Sequence, residues 1–208
     1  MRPEDIFARL ELTVLAPLAT RAEIRQLCDD AIRLHTASVC VPPCYVEDVK
    51  RYIGRRLPVG TVVGYPNGFE TSSAKAFMAA DAAGKGADEV EMAVNAGWIR
   101  DGKYADVEAE IAMVKAACRG STLKVIIPAE MLSEEEMIRM CRIISEAKAD
   151  YVTVSESRGG KCVPADTIRL LREYAGPEVK ILVRGEMGSG SYETYIQSGA
   201  DRFGTRKI

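Results

Sequence analysis

The chain has 208 residues, of which 47% are hydrophobic and 28% charged, and its formal net charge is -2. That is enough for one domain with a sizeable core, and no block of like charge suits a nucleic-acid or membrane surface. The charged opening Met1-Arg2-Pro3-Glu4-Asp5-Ile6 has no apolar core of a secretory signal, and no apolar run approaches the ~20 residues that span a bilayer. A cytoplasmic protein is expected.

Strand-like and helix-like segments alternate from end to end. Residues 3–10 read as a short cover for the bottom of the fold. Short apolar runs bounded by Gly, Pro or Asp fall at 12–15, 37–41, 59–63, 89–94, 123–127, 151–155, 180–183 and 202–204. That is the pattern of parallel strands buried on both faces. Amphipathic helices lie between them. The helix expected at 20–34 places Ile24, Leu27, Cys28 and Ala31 on one face at spacings of three and four. Thr20 and Glu23 form a capping box at its start, and Ser133 and Glu136 open the helix at 133–147 in the same way. Further helices are expected at 72–85, 103–118, 164–174 and 191–198, with a weaker one near 46–55. Pro164 suits a first helical position. Gly86-Ala87-Asp88, Lys148-Ala149-Asp150 and Gly199-Ala200-Asp201 each end a helix and start a strand.

This alternation leaves an open doubly wound sheet or a closed barrel. Eight strands of similar length favour the barrel, and no Gly-x-Gly-x-x-Gly follows the first strand. The expected architecture is α/β: a single (β/α)8 TIM barrel over residues 1–208, with its last outer helix absent or truncated.

In such a barrel the chemistry sits at the carboxyl ends of the strands. Glu91 stands between Val90 and Met92, and Lys124 between Leu123 and Val125. Alternate side chains of each strand enter the barrel. The pair reads either as a buried structural ion pair or as a tuned acid/base or amine site, and two ionisable groups in one interior favour the second. After strands seven and eight come Arg184-Gly185, Gly188-Ser189-Gly190 and Gly204-Thr205-Arg206-Lys207. Barrels often bind phosphate there with backbone amides. The same glycines suit tight turns, but the arginines and lysine tip the reading toward an anionic ligand. Asn95 and Ser155 are further candidates for binding substrate. Glu11, Glu130, Glu156, Arg158 and Glu186 add charge near the strand ends. His35, the single histidine, reads as a surface or capping residue, which argues against a histidine base. Trp98 reads as packing within a loop. The six cysteines contain no C-x-x-C pair, and most of them read as small core hydrophobes. His35, Cys40 and Cys44 fit no usual zinc spacing. No metal and no cofactor is expected.

Five stretches carry a resemblance. They are Leu12-Thr13-Val14-Leu15-Ala16-Pro17, Ala37-Ser38-Val39-Cys40-Val41-Pro42-Pro43, Val62-Val63-Gly64-Tyr65-Pro66-Asn67-Gly68, Gly86 to Asn95, and Leu123-Lys124-Val125-Ile126-Ile127. Over nearly the whole chain the sequence resembles the deoxyribose-phosphate aldolase family. The resemblance implies a class I aldolase barrel. In it a strand-six lysine forms an imine, a strand-seven lysine lowers its pKa, a strand-four aspartate moves protons, and a strand-five lysine shares the site. By position, Lys124 keeps the strand-five lysine and Glu91 replaces the aspartate. Thr153 stands where the imine lysine belongs and Leu182 where the strand-seven lysine belongs. A hydroxyl cannot form a Schiff base. The family's Asp-His-Thr opening is Glu11-Leu12-Thr13 here, its glutamate after Val-Ile-Ile is Pro128, and its phosphate turns have become Gly185-Glu186 and Thr205-Arg206-Lys207.

The expected function is a lyase of this type with a rewritten site, acting on a small aldehyde or sugar-phosphate-like carbonyl compound. Lys124 would then be the amine, its pKa lowered by burial and raised by Glu91. One alternative is an inactive homologue that binds a ligand or pairs with an active paralogue. Another gathers a divalent cation on Glu11, Glu91, Glu130, Glu156 and Glu186. The expected partners are the substrate and further copies of the chain.

Overall fold

The computed structural model describes residues 2–154, 162–185, 187–188 and 190–206. Among them, eight strands close into a parallel barrel in chain order: β1 Leu10–Thr13, β2 Ser38–Val41, β3 Val59–Val63, β4 Glu89–Ala93, β5 Thr122–Ile127, β6 Tyr151–Val154, β7 Lys180–Arg184 and β8 Arg202–Thr205. The helices α1 Pro3–Phe7, α2 Arg21–Leu34, α3 Val46–Ile53, α4 Ser72–Gly84, α5 Ala96–Arg100, α6 Tyr104–Ala117, α7 Glu134–Glu146, α8 Ala165–Tyr174 and α9 Ser191–Gln197 complete the chain. No helix follows β8 among the described residues. Nor is any described helix long and apolar enough to cross a membrane.

Local chemistry sets the boundaries. Thr20 and Ser133 each accept from the backbone N–H three residues on, and Glu23 and Glu136 reach back to complete both capping boxes. Pro164 is the N-cap of α8 and not its first helical residue. His35 ends α2 in the left-handed conformation, at φ 53°, so the capping reading holds. Gly86 and Gly199 turn the chain at φ 96° and 107°, where a side chain would be strained. Trp98 lies on α5 and not in a loop, partly buried against the core. A five-residue helix is too short to leave a periodic signal. β1 starts two residues before the expected run, because the charged Glu11 pairs in register with Ser38 and Gly204. Below it, Arg9 donates to the Asp201 carbonyl at 3.3 Å and accepts from the Phe203 N–H at 2.9 Å, fixing the α1 segment to the amino end of β8.

The period of two along each strand separates two kinds of interior. Leu12, Val39, Val90, Met92, Val125, Val152, Ile181 and Phe203 point outward and pack under the helices as one apolar core. Their neighbours point into the barrel, where Glu11, Ser38, Glu89, Glu91, Lys124, Thr153 and Arg184 are all buried. The apolar shell holds the fold together, and the centre it encloses is polar.

Candidate active site

Parallel pairing brings interior residues from neighbouring strands to one level. Glu91 is opposite Lys124, Lys124 opposite Tyr151, and Thr153 opposite Leu182. At the middle level, four charged groups from β1, β4, β5 and β7 form a closed ring. The Lys124 Nζ donates to Glu91 Oε1 at 3.1 Å and also to Glu11 Oε2. From the mouth side, Arg184 Nη2 donates to Glu11 Oε1 and Glu91 Oε2, each at 2.6 Å. Each carboxylate therefore bridges both cations. Gly204 makes room for this reach: a Cβ there would lie 3.1 Å from Arg184 Nε. Toward the floor, Lys124 Nζ lies 2.7 Å from Glu89 Oε2, an ion pair off the axis of a hydrogen bond. Arg202 Nη1 holds the other Glu89 oxygen at 2.6 Å.

Burial disfavours charge on every member of the ring, and the neighbours decide each outcome. For Lys124, burial favours the neutral amine, but Glu11, Glu91 and Glu89 outweigh it and hold the ammonium well above its ordinary range. For Glu11, burial works against the carboxylate, yet Lys124 and Arg184 overcome it and hold the group well below the usual range. For Glu91, burial wins: it pushes the carboxyl up to about 7, Arg184 opposing and Glu11 assisting. Held in one ring, the two carboxyls titrate as a pair.

The interior placement of Glu91, Lys124 and Thr153 agrees with the sequence expectation. Thr153 is fully buried, and its Oγ1 has no hydrogen-bond partner among the described residues. The remaining candidates divide. Arg184 is not at a phosphate turn: it ends β7 inside the barrel and binds two carboxylates. Gly185 does not offer its amide to an anion, because that N–H donates to the Gly204 carbonyl at 3.2 Å. Asn95 is the N-cap of α5, its Oδ1 accepting from Trp98 N at 3.2 Å. Gly204 and Thr205 belong to β8, and Arg206 is exposed beyond it. Ser155, Glu156, Arg158, Glu186 and Lys207 lie outside the described residues.

Among the described residues, Glu11, Cys40 and Glu91 have ligand atoms within 4.8 Å of one another. Both carboxylates are already bound to Lys124 and Arg184, so a cation would compete with two fixed positive charges. His35 and Cys44 are exposed, whereas Cys40 faces the ring. Burial pushes the Cys28, Cys118 and Cys141 thiols up to about 11, as core cysteines behave.

The DeoC/LacD family aldolase model matches residues 7–166 of this chain. The chain belongs to that family. Deoxyribose-phosphate aldolase of Streptococcus pyogenes serotype M4 is 37% identical to it, over 100% of this chain and 94% of the relative. The Streptococcus agalactiae serotype Ia protein of the same name is 36% identical over the same shares. Among solved structures, an aldolase designated QR15 has TM-score 0.91 and 27% identity, over 97% of this chain and 91% of that one. Deoxyribose phosphate aldolase from Aeropyrum pernix shares the fold at TM-score 0.89 and 24% identity, over 99% of this chain and 88% of that one.

Within this aldolase framework, the sequence reading missed Glu89, Arg202 and Cys40 as interior groups and took Glu11 for a residue ahead of its strand. A period-two signal marks two of them: Glu11 precedes Thr13 by two, and Glu89 precedes Glu91 by two. What hid them is position. A charged residue at the start of an apolar run reads as its boundary.

Proposed function

We propose that this chain is a deoxyribose-phosphate aldolase-like lyase with a rewritten active site, acting on a small aldehyde or sugar-phosphate-like carbonyl compound. The observation that carries the reading is the juxtaposition of Lys124 Nζ and Glu91 Oε1, 3.1 Å apart in the buried barrel centre. Lys124 supplies the amine. It attacks the carbonyl carbon, water leaves, and an imine forms. Glu91, with its carboxyl near 7, is matched to proton transfer around neutrality. Because the surrounding carboxylates keep Lys124 protonated, the free amine is scarce and turnover rises with pH. The test is borohydride reduction with acetaldehyde, read by mass spectrometry. The reading expects an adduct on Lys124, with more labelling at higher pH. No adduct with any carbonyl compound tried would sink it.

A specific observation favours a second reading. Thr153 and Leu182 occupy the two positions where the resemblance places reactive lysines, and the remaining lysine is enclosed by three carboxylates. On this reading the chain binds a carbonyl ligand without turning it over and pairs with an active copy. The A. pernix relative is described as a tetramer, and assembly of this chain with copies of itself or a paralogue fits both readings. Turnover by the pure chain would end the second.

A further inference from the structure

We propose that the mouth-side interior of the barrel is a receptor for the carboxylate of an anionic carbonyl compound, a 2-oxo acid, with Arg184 and Thr153 as its binding groups. This deepens the lyase reading by naming a substrate class. Arg184 is 7% exposed, and its Nε and Nη1 are buried without a hydrogen-bond partner among the described residues, while Nη2 carries both carboxylates of the ring. Thr153 is 0% exposed, and its Oγ1 is also unpartnered. The strand register sets Thr153 beside Leu182, with Arg184 one interior position further toward the mouth. Two side chains on adjacent strands thus hold buried donors that no described residue accepts. Leaving a buried donor unmade costs about 1–3 kcal/mol, more for a charged group. An arrangement that leaves three is poised for an acceptor. The nearby thiol of Cys40 is only a weak one.

Charge selects which acceptor. Glu11, Glu89 and Glu91 balance Lys124, Arg184 and Arg202 when all are ionised. The groups facing the guanidinium are Glu11, Cys40, Glu91 and, across the ring, Lys124. With one proton on the Glu11–Glu91 pair, the interior is one positive charge in excess. It then takes one anion at no net cost in charge. A neutral aldehyde would leave that excess uncompensated. A carboxylate, by contrast, accepts charge-assisted bonds from arginine and threonine. Binding therefore goes with proton retention, and affinity falls as pH rises through about 7.

The test is calorimetry on the full chain with sodium pyruvate as probe, with acetaldehyde and inorganic phosphate as comparators, from pH 6 to 8.5. Pyruvate is expected to bind at least tenfold more tightly than acetaldehyde, and to weaken by up to tenfold per pH unit above 7. Arg184→Met should abolish binding. Because that variant strips two carboxylates of a partner, Thr153→Val is the second arm: it keeps the shape, removes the hydroxyl, and should weaken pyruvate roughly tenfold, with Thr153→Ser restoring it. Pyruvate binding that is absent, equal to that of acetaldehyde, or unmoved by Thr153→Val would overturn the proposal, as would binding of phosphate alone. The lyase reading fails separately. Pyruvate binding without any borohydride adduct would remove the lyase and leave this site, whereas an acetaldehyde adduct without pyruvate binding would do the reverse.

Discussion

The floor and the mouth-side interior of this barrel are built from the same kinds of residue, yet they finish their bonding differently. At the floor, Arg202 holds Glu89 at 2.6 Å, stands 5.2 Å from the Tyr151 ring centre and lies 3.4 Å from Ser38 Oγ. Lys124 and Lys180 approach the same ring, each at 5.7 Å. Ser38 Oγ in turn donates to Glu11 Oε2 at 3.1 Å. Every charge there meets an opposite charge or a π face, although Glu89 Oε2, 2.7 Å from Lys124 Nζ, makes no hydrogen bond among the described residues. One level higher, Arg184 and Thr153 keep donors that no oxygen or nitrogen among the described residues accepts, the Cys40 thiol beside the guanidinium being a weak acceptor. A folding core has no use for idle buried donors, because each one costs stability. The difference marks the floor as structure and the upper interior as the place where a ligand completes the bonding.

The largest test of this division is Lys124→Met. This one ammonium serves three carboxylates and joins the two levels. Removing one partner of a buried ion network costs about 3–5 kcal/mol, on the order of 10 °C in Tm for a chain of this size. Urea unfolding should show the loss, and labelling by borohydride should vanish with it. A cost below ~1 kcal/mol would mean the ring is dispensable.

Arg202→Met comes next. It breaks the floor alone, leaving Glu89 with Lys124, and Arg202 keeps some solvent contact at 15% side-chain exposure. A loss of roughly 2–3 kcal/mol is expected, with pyruvate affinity unchanged. A matching loss of affinity would show that floor and mouth act as one unit.

Much of this molecule is legible in its sequence. Alternation, the capping boxes at Thr20 and Ser133, and the glycines at 86 and 199 announce the barrel and its helix ends. Glu91 and Lys124 stand out because a charge with apolar neighbours on both sides of a strand is costly to bury without a partner. Less was visible where a charge sat at a run's edge, as Glu11, Glu89 and Arg202 do. Only closure of the sheet decides that those side chains point inward. Lys75 shows the same limit on a helix: it is fully buried, bound to Glu110 Oε2 and the Ala93 carbonyl, each at 2.9 Å. No spacing rule places a lysine there. Arg184 was misread for a related reason. A flexible side chain just after a strand can turn outward to a phosphate or inward to a carboxylate, and the partner residues on β1 and β4 decide which.

Glu91→Gln gives a smaller effect, visible as a change of slope. The folded carboxyl keeps its proton to about pH 7, whereas the unfolded one releases it near 4.5. Between those values the native state binds more protons than the unfolded state. The contribution of this carboxyl to stability therefore falls as pH rises from about 4.5 to about 7 and then levels off. Glutamine cannot titrate, so the variant should lose this fall. An unchanged pH profile would assign the raised carboxyl elsewhere.

The smallest expected effect discriminates most sharply between the two levels. Thr153→Val replaces an unpartnered buried hydroxyl with a methyl of similar shape. If the site were mere structure, its hydroxyl would have a partner and the change would cost stability. Here the hydroxyl has none, so the folded chain bears its desolvation without return, and removal should stabilise by about 1 kcal/mol. Tm would rise by roughly 2–4 °C while pyruvate affinity drops. Opposite signs in the two measurements are the signature of a group kept for a ligand at the expense of the fold. A fall in Tm would show that Thr153 has a bonding role in the free protein, and the contrast between floor and mouth would lose one of its two supports, with Arg184 left to carry the other.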